Sequence, residues 1–330
     1  MRTAEFIRVL PKAELHLHLE GAVPWAMARA HSAPSLPERP PWYAEGFRFD
    51  DFLEFRGAIR ECMSCLVDAP AYGAAAGAIF RGLQAQNVRY AEISFDVVRA
   101  LDLRLEIADV VAAVKAAEPP GMITRVFAAL SQHKHERTPA AVVDMVLSAP
   151  GLDGLSLHGD EATQHTDAFV DAFVEARRRG LQTKAHAGEL MGPASVATAL
   201  DLLGVTRIEH GVRAAEDDAL VKRLAAEAVT LDVCPWSNVR LKVVESLARH
   251  PIRRLHEGGV RLTINTDDPT VFGRTLSEEL ASLVDDLGFT LTDLARFQAN
   301  AFAVAAMPPA TRDAVVAEIE TLQAGVLTTG

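Results

Sequence analysis

The sequence predicts an α/β chain folded as a (β/α)8 barrel, and three observations carry that reading. The chain opens with a strictly alternating polar and apolar run, Glu14-Leu15-His16-Leu17-His18-Leu19-Glu20, the period of a strand. Seven further short apolar or alternating runs follow, each succeeded by helical sequence. Strand and helix in regular alternation make a parallel sheet with right-handed crossovers, and eight such units are the count of this barrel. A doubly wound open sheet is the alternative, but no glycine-rich dinucleotide loop follows the first strand.

On the opening strand side chains alternate faces, so Glu14, His16, His18 and Glu20 share one face and Leu15, Leu17 and Leu19 the other. Residues 20–56 form an insertion rich in proline and aromatics: Trp25, Trp42, Tyr43, Phe47, Phe49, Phe52 and Phe55. It reads either as a lid over a site or as a satellite cluster closing one side of the core, and both can hold. Helices are expected from Asp51 to Val67 and around Tyr72–Gln86. Strands are then expected at Val88–Phe95, Ile123–Leu130, Leu152–His158, Gln182–His186, Arg207–Val212, Val229–Val233 and Val260–Thr266. The helices between them fall at Leu105–Glu118, Pro139–Leu147, His165–Arg179, Pro193–Leu203 and Glu216–Glu227, and a helical stretch runs on to Glu257. Gly180 and Gly204 stop two of them. Extra helices at Thr275–Asp286, Thr292–Ala306 and Thr311–Leu322 finish the chain. Residues 1–330 are expected to form a single domain, a normal size for this barrel.

Composition narrows the partners. Hydrophobic residues make up 49%, ample for a large core. With 33 Lys+Arg against 44 Asp+Glu the formal charge is −11, and no basic stripe offers a surface to phosphate backbones, which excludes nucleic acid. Met1–Leu10 has no apolar core of signal-peptide length and no later run approaches a membrane span, so a cytoplasmic location without membrane contact is expected. Three cysteines fit a reducing compartment. Cys62 and Cys65 form a C-x-x-C inside helical sequence with no second pair, and read as two packed or partly exposed thiols.

Sites on these barrels sit at the C-terminal strand ends. Here the first strand delivers His16, His18 and Glu20, the fourth His158-Gly159-Asp160-Glu161, the fifth His186-Ala187-Gly188-Glu189 and the sixth Glu209-His210-Gly211. The seventh ends in Cys234-Pro235-Trp236-Ser237-Asn238 and the eighth in Asn265-Thr266-Asp267-Asp268-Pro269. Singly, each residue has a plain explanation: a solvated strand histidine, a core histidine on a carbonyl, an aspartate capping a helix. Six strands bringing such groups to one rim is not a pattern of solvated surface. His16, His18, His186 and Asp267 offer three neutral imidazoles and a carboxylate, a donor set for Zn²⁺, or for another divalent ion, with water completing the shell. A metal brings the pKa of bound water toward about 7. His210 is placed to orient or deprotonate that water, and Glu189, three residues beyond His186, to protonate the substrate. Asp268 follows Asp267 directly, so the two carboxylates are expected to point apart, one to metal and one to substrate.

These residues carry a resemblance. Pro11-Lys12-Ala13-Glu14-Leu15-His16-Leu17-His18-Leu19-Glu20-Gly21, His186-Ala187-Gly188-Glu189, Arg207-Ile208-Glu209-His210-Gly211 and Asn265-Thr266-Asp267-Asp268-Pro269 resemble the signature blocks of the adenosine/adenine deaminase family of the amidohydrolase superfamily. The blocks stand in the family's order and span nearly the whole chain. The resemblance implies a zinc enzyme, one ion per chain, that hydrolytically removes the 6-amino group of a purine and releases ammonia. It implies zinc on His16, His18, His186 and Asp267, with Glu189 protonating ring nitrogen N1 and His210 assisting the attacking water. Asp268 would bond N7 and the Gly159 backbone N3. The Cys-ligated zinc deaminases are a different type, whose H-x-E and P-C-x-x-C elements do not occur here.

Three positions depart from the family's adenosine-acting members. Glu20 stands where an aspartate near the ribose 5′-hydroxyl is usual, and His158 precedes Gly159 where a small residue is usual. Ser131-Gln132-His133-Lys134-His135-Glu136 lacks an Arg-His pair. The substrate signals conflict. The Gly-Asp-Glu turn resembles nucleoside-acting members, whereas Phe272-Gly273 and Arg240-Leu241-Lys242-Val243-Val244 resemble the adenine-acting branch. The expectation is a nucleoside, adenosine or a 5′-modified adenosine with Glu20 near its 5′ end, and the alternative is adenine itself. Another metal-dependent amidohydrolase would not need Glu189 together with Asp268, and a silent binding protein would not keep all six groups.

Overall fold

The computed structural model describes residues 2–329 except 32–35, 133–139 and 164–165. Eight strands run β1 (Lys12–Glu14), β2 (Val88–Asp96), β3 (Ile123–Ser131), β4 (Gly154–His158), β5 (Gln182–Ala187), β6 (Arg207–His210), β7 (Thr230–Val233) and β8 (Arg261–Ile264). Each pairs in parallel with the next in sequence. That order is a (β/α)8 barrel and excludes the doubly wound sheet. The seam between β1 and β8 is closed beyond the regular strands. Leu17 bridges Asp267, the His18 amide donates to the Asp267 carbonyl at 2.9 Å, and the Asp267 amide donates to the His16 carbonyl at 2.9 Å.

The seven later strands lie within two residues of their expected bounds. The first does not. Regular pairing stops at Glu14, the chain stays extended through His18, and a short helix, Leu19–Ala22, begins there. Glu20 therefore sits in a buried helical turn rather than on a strand face with His16 and His18. The physical reason is the rim. Past Glu14 the chain keeps only isolated bridges, Leu17 to Asp267 and His18 to Ser94, in place of a continuous ladder, and both sides of the run are covered, so alternation no longer distinguishes inside from outside; Leu15, Leu17 and Leu19 are buried together with Glu14, His16 and Glu20.

The insertion packs as helices Trp25–His31 and Phe52–Cys62 with a turn at Pro41–Tyr43. Asp51 starts the second helix by accepting from the Glu54 amide at 2.9 Å. Trp25 meets Trp42 edge-on at 5.3 Å and Phe55 stacks on Phe272 at 5.5 Å, forming a second apolar cluster beside the main core. Phe52 and Phe55 also wall the central cavity, so both readings of the insertion hold. Cys62 and Cys65 are buried, and burial raises both thiols, as packed sulfurs should be. Three helices, Leu276–Asp285, Leu291–Val304 and Pro309–Thr329, complete the chain, the first two started by capping boxes at Thr275/Glu278 and Thr290/Asp293. Among the described residues no single helix is long and apolar enough to cross a membrane. The stretch His133–Glu136 lies outside the described residues.

Candidate active site

The barrel interior beneath the rim is polar. Arg207 bonds Glu92 at 2.8 Å and Asp232 at 2.7 Å, and Lys184 reaches Glu209 at 3.1 Å and Glu92 at 3.4 Å. All five are buried, so each charge is held by a partner rather than by water. Burial opposes ionisation of Glu209, but Lys184 and His186 hold its carboxyl well below the usual range.

Above this layer three histidines converge. His16 Nδ1 faces the Asp232 carbonyl at 3.1 Å. His186 Nδ1 faces the Leu157 carbonyl at 3.1 Å and Glu209 at 3.0 Å. Those partners only accept, so each Nδ1 carries the proton and each Nε2 a lone pair. His18 Nδ1 lies 3.0 Å from Ser94 Oγ, whose own proton goes to the Leu17 carbonyl, so the same tautomer follows. The three Nε2 atoms nevertheless approach, His186 standing 3.2 Å from both His16 and His18. Asp267 Oδ1 is 3.5 Å from His16 Nε2 and 3.3 Å from His18 Nε2. Ligands about 2.0–2.1 Å from a tetrahedral centre stand about 3.3 Å apart, so four such donors match the edges of a metal's coordination shell.

A proton is the competitor for this position. Despite burial, which opposes it, Glu209 pushes the His186 imidazole up to about 9. One proton satisfies one contact, whereas the set presents three lone pairs and a carboxylate at once. Burial holds His16 and His18 well below their ordinary range. The donor set therefore fits a divalent metal.

Two of the rim residues hold strained backbone. His210 has φ 65° and Asp267 φ 62°, the left-handed region that non-glycine residues rarely adopt. Neighbouring backbone bonds hold it: the Gly211 amide donates to the Ala187 carbonyl at 3.0 Å, and the Asp267 amide and carbonyl are both bonded to the first strand's extension, at His16 and His18; Ser237 Oγ then donates to Asp267 Oδ2 at 2.7 Å. The strain aims both side chains at one point. His210 Nε2 stands 3.5 Å from Glu189 Oε1 and 3.7 Å from Asp267 Oδ2. It belongs to the same group of donors, within 4.8 Å of His16, His186 and Asp267, but it lies farther from Asp267 than His16 and His18 do.

A cavity of about 260 Å³ opens over the cluster, lined by His18, Glu20, Gly159, His186, Glu189, His210, Asp267 and Asp268. Of the residues given a metal, catalytic or substrate role from the sequence, all but His16 line it. Glu189 Oε1 and Asp268 Oδ1 are buried and no protein group donates to them; the Asp268 carboxyl shares a hydrogen bond with the Asp267 carboxyl, so the two meet rather than point apart as the sequence suggests. Burial, reinforced by Asp267 and Glu161, pushes the Glu189 carboxyl well above its ordinary range; burial and Asp267 do the same to Asp268. Glu161 anchors the loop that carries Glu189, accepting from the Glu189 amide at 3.1 Å and the Met191 amide at 2.7 Å. Glu20 Oε1 accepts from the Asp96 amide at 2.9 Å, and burial with the Asp96 charge raises its carboxyl to about 8. His158 stacks on His18 with ring centroids 5.7 Å apart.

Several participants lacked a role in the sequence reading. Glu161, Glu209, Ser237 and Asn238 stand in the polar strand ends beside the residues with the plainer chemistry. Ser94 was legible in the polar alternation Glu92, Ser94, Asp96 of β2. His250, behind Asn238, sits in no motif.

A parallel eight-stranded barrel with an imidazole–carboxylate cluster at the C-terminal ends of its strands, acids beside it and a cavity above, defines a metal-dependent hydrolase. The chain belongs to the adenosine deaminase family, whose sequence model matches residues 11–322. It is similar to adenine deaminases of Rhodospirillum rubrum, 35% identical over 93% of this chain and 95% of that one, and Streptomyces coelicolor, 36% identical over 91% and 92%. Among solved structures it is similar to adenine deaminase from Arthrobacter aurescens, with TM-score 0.85 and 30% identity over 95% of this chain and 99% of that one. It is also similar to a zinc-bound amidohydrolase from Burkholderia ambifaria, with TM-score 0.83 and 28% identity over 99% and 95%. The chain is thus a hydrolytic deaminase of the purine-acting type. The relatives carry the name of the free base, which moves the balance from the nucleoside expectation to its alternative.

Proposed function

We propose that this protein deaminates adenine, replacing the 6-amino group by oxygen and releasing ammonia. The observation that carries the reading is the pair of carboxyl groups, Glu189 and Asp268, that line the cavity beside the histidine cluster, each with a buried oxygen to which no protein group donates. The 6-amino carbon of a purine is flanked by two ring acceptors, N1 and N7, and each calls for a donor. A carboxylic acid kept protonated in a buried site is such a donor. Glu189 gives its proton to N1, which makes C6 electrophilic, while Asp268 holds N7. The Gly159 amide meets N3, and His210 orients the attacking water. Water adds to C6, and the C6–N bond then breaks: one of the water's protons leaves with the amino group as ammonia and the other returns to Glu189, which is thereby restored. His16, His18, His186 and Asp267 hold the metal, Zn²⁺, which when bound acts as a Lewis acid and acidifies water.

Two features of the site support the base over the nucleoside. The His158 imidazole stands beside the N3 contact, where the family's nucleoside-acting members carry a small residue. Glu20 commits Oε1 to the Asp96 amide and is held as a neutral acid up to about pH 8, so it braces the far wall. The names of the relatives point the same way. Ultraviolet progress curves on adenine, adenosine, deoxyadenosine and a 5′-substituted adenosine test the proposal. Adenine is expected to give the highest kcat/KM. A higher value on any nucleoside would overturn it.

A further inference from the structure

Behind His210 a buried chain of polar groups runs away from the cavity. Its far end is a backbone amide: the Ile252 N–H donates to His250 Nδ1 at 3.1 Å. A backbone amide only donates, so His250 Nδ1 is a lone pair. Burial brings the His250 imidazole down to about 3, so the ring is neutral and its proton is on Nε2. That nitrogen lies 3.1 Å from Asn238 Oδ1, an acceptor, as it must be. The other end of the Asn238 amide, Nδ2, only donates, and it lies 3.2 Å from His210 Nδ1. Each bond therefore has one allowed direction. Turning the Asn238 amide over would set its N–H against the His250 N–H, and protonating His210 Nδ1 would set two donors face to face. His210, Asn238 and His250 are buried, which keeps water from substituting for either partner. The Asn238 backbone is pinned as well, its amide donating to Cys234 at 3.1 Å and its carbonyl accepting from Val244 at 3.1 Å.

We infer that Asn238 and His250 are positioning residues that fix His210 as the neutral tautomer with its proton on Nε2, the nitrogen facing the reacting centre, so that His210 acts there as a hydrogen-bond donor rather than as a resting base. The surroundings of Nε2 agree with a donor, since the Asp267 Oδ2 acceptor lies 3.7 Å away and Glu189 Oε1, an acceptor once Glu189 has given its proton to N1, lies 3.5 Å away. A protonated Nε2 has no lone pair to give a metal, which leaves His16, His18, His186 and Asp267 as the donors and sets His210 apart from them. It also decides between the two roles open to His210: it orients an oxygen by donating to it. The catalytic consequence rests on the proposed deamination, but the tautomer does not.

The test reads the proton directly. In metal-loaded protein labelled with ¹⁵N-histidine, long-range ¹H–¹⁵N correlation shows which ring nitrogen is protonated, and the spectrum of a His210→Asn variant assigns the signal. The wild-type His210 is expected to show a protonated Nε2 and a bare Nδ1. Asn238→Asp offers His210 Nδ1 an acceptor in place of a donor, so the proton should move to Nδ1 and kcat should fall by about 10²-fold or more, with metal content unchanged. His250→Gln keeps one donor and one acceptor in the chain and should retain the wild-type tautomer and kcat. A wild-type His210 protonated on Nδ1 overturns the inference without any variant, as does an Asn238→Asp protein whose His210 tautomer is unchanged. No purine enters the spectrum, so an error in the substrate leaves this result standing.

Discussion

A Cβ built on Gly21 would stand 1.8 Å from Asp268 Oδ1 and 2.4 Å from its Cγ. Nothing in φ demands glycine here; the demand is space for one carboxyl. That explains why a glycine closes the run that begins with His16, since the helix Leu19–Ala22 lies directly against the carboxyl proposed to hold N7. Gly21→Ala should push Asp268 off the purine while leaving the metal donors in place. Losing a buried hydrogen-bond partner costs about 1–3 kcal/mol, so kcat/KM for adenine should fall roughly 10- to 100-fold with metal content unchanged. Steady-state kinetics with metal analysis on the same preparation read both. Unchanged kcat/KM would remove Asp268 from the substrate. His210 and Asp267 make a related point about backbone. Both adopt positive φ, which no side-chain pattern announces, and the bonds that enforce it come from other strands.

Elements were legible in the sequence to the extent that one face differed from the other. From β2 onward, short apolar runs bounded by glycine and charge mark each strand, because a buried parallel strand needs apolar residues and the following helix needs a cap. The run from Glu14 to Glu20 reads as the clearest strand and is the least regular one, since its ladder ends at Glu14 and only isolated bridges continue it to His18. The donors were readable because each stands at a strand end next to another polar residue. His250 was not, because it acts through Asn238 and meets the site only in three dimensions. The insertion shows how one element serves two needs. Phe55 stacks on Phe272 with the rings 6° from parallel, touches Phe49 at 5.6 Å, and lines the cavity. Phe55→Ala should lower unfolding free energy by about 3 kcal/mol, the lower end for a buried phenylalanine. It should also raise KM more than it lowers kcat, because the ring walls the cavity without meeting the reacting atoms. Urea unfolding and kinetics test the two together. A stability loss with KM unchanged would confine Phe55 to the aromatic cluster.

For the whole molecule, the proposed metal donors would tie together parts of the barrel that no regular ladder joins. His16 and His18 follow β1, Asp267 follows β8, and His186 stands on β5 across the barrel. Between β1 and β8 no regular ladder runs; the His18 and Asp267 amides donate across the seam, and Asn265 and Glu14 side chains accept from the Leu15 and Thr266 amides. A ligand that binds only the folded state stabilises it by RT ln(1 + [L]/Kd), about 4 kcal/mol at 1,000-fold excess over Kd. A metal held by His16, His18, His186 and Asp267 should therefore raise the melting temperature and do so through that seam. Stripping the protein with a chelator should lower the melting temperature and speed hydrogen exchange first at the His18 and Asp267 amides. Amides of the β3–β4 ladder, which has a full parallel register from Phe127–Gly154 to Ser131–His158, should keep their protection. Restoring Zn²⁺ should reverse both effects in wild type and in neither His16→Ala nor Asp267→Ala. Chelated protein that melts and exchanges like the untreated sample would mean that the cluster does not bind a metal and that hydrogen bonds alone close the barrel.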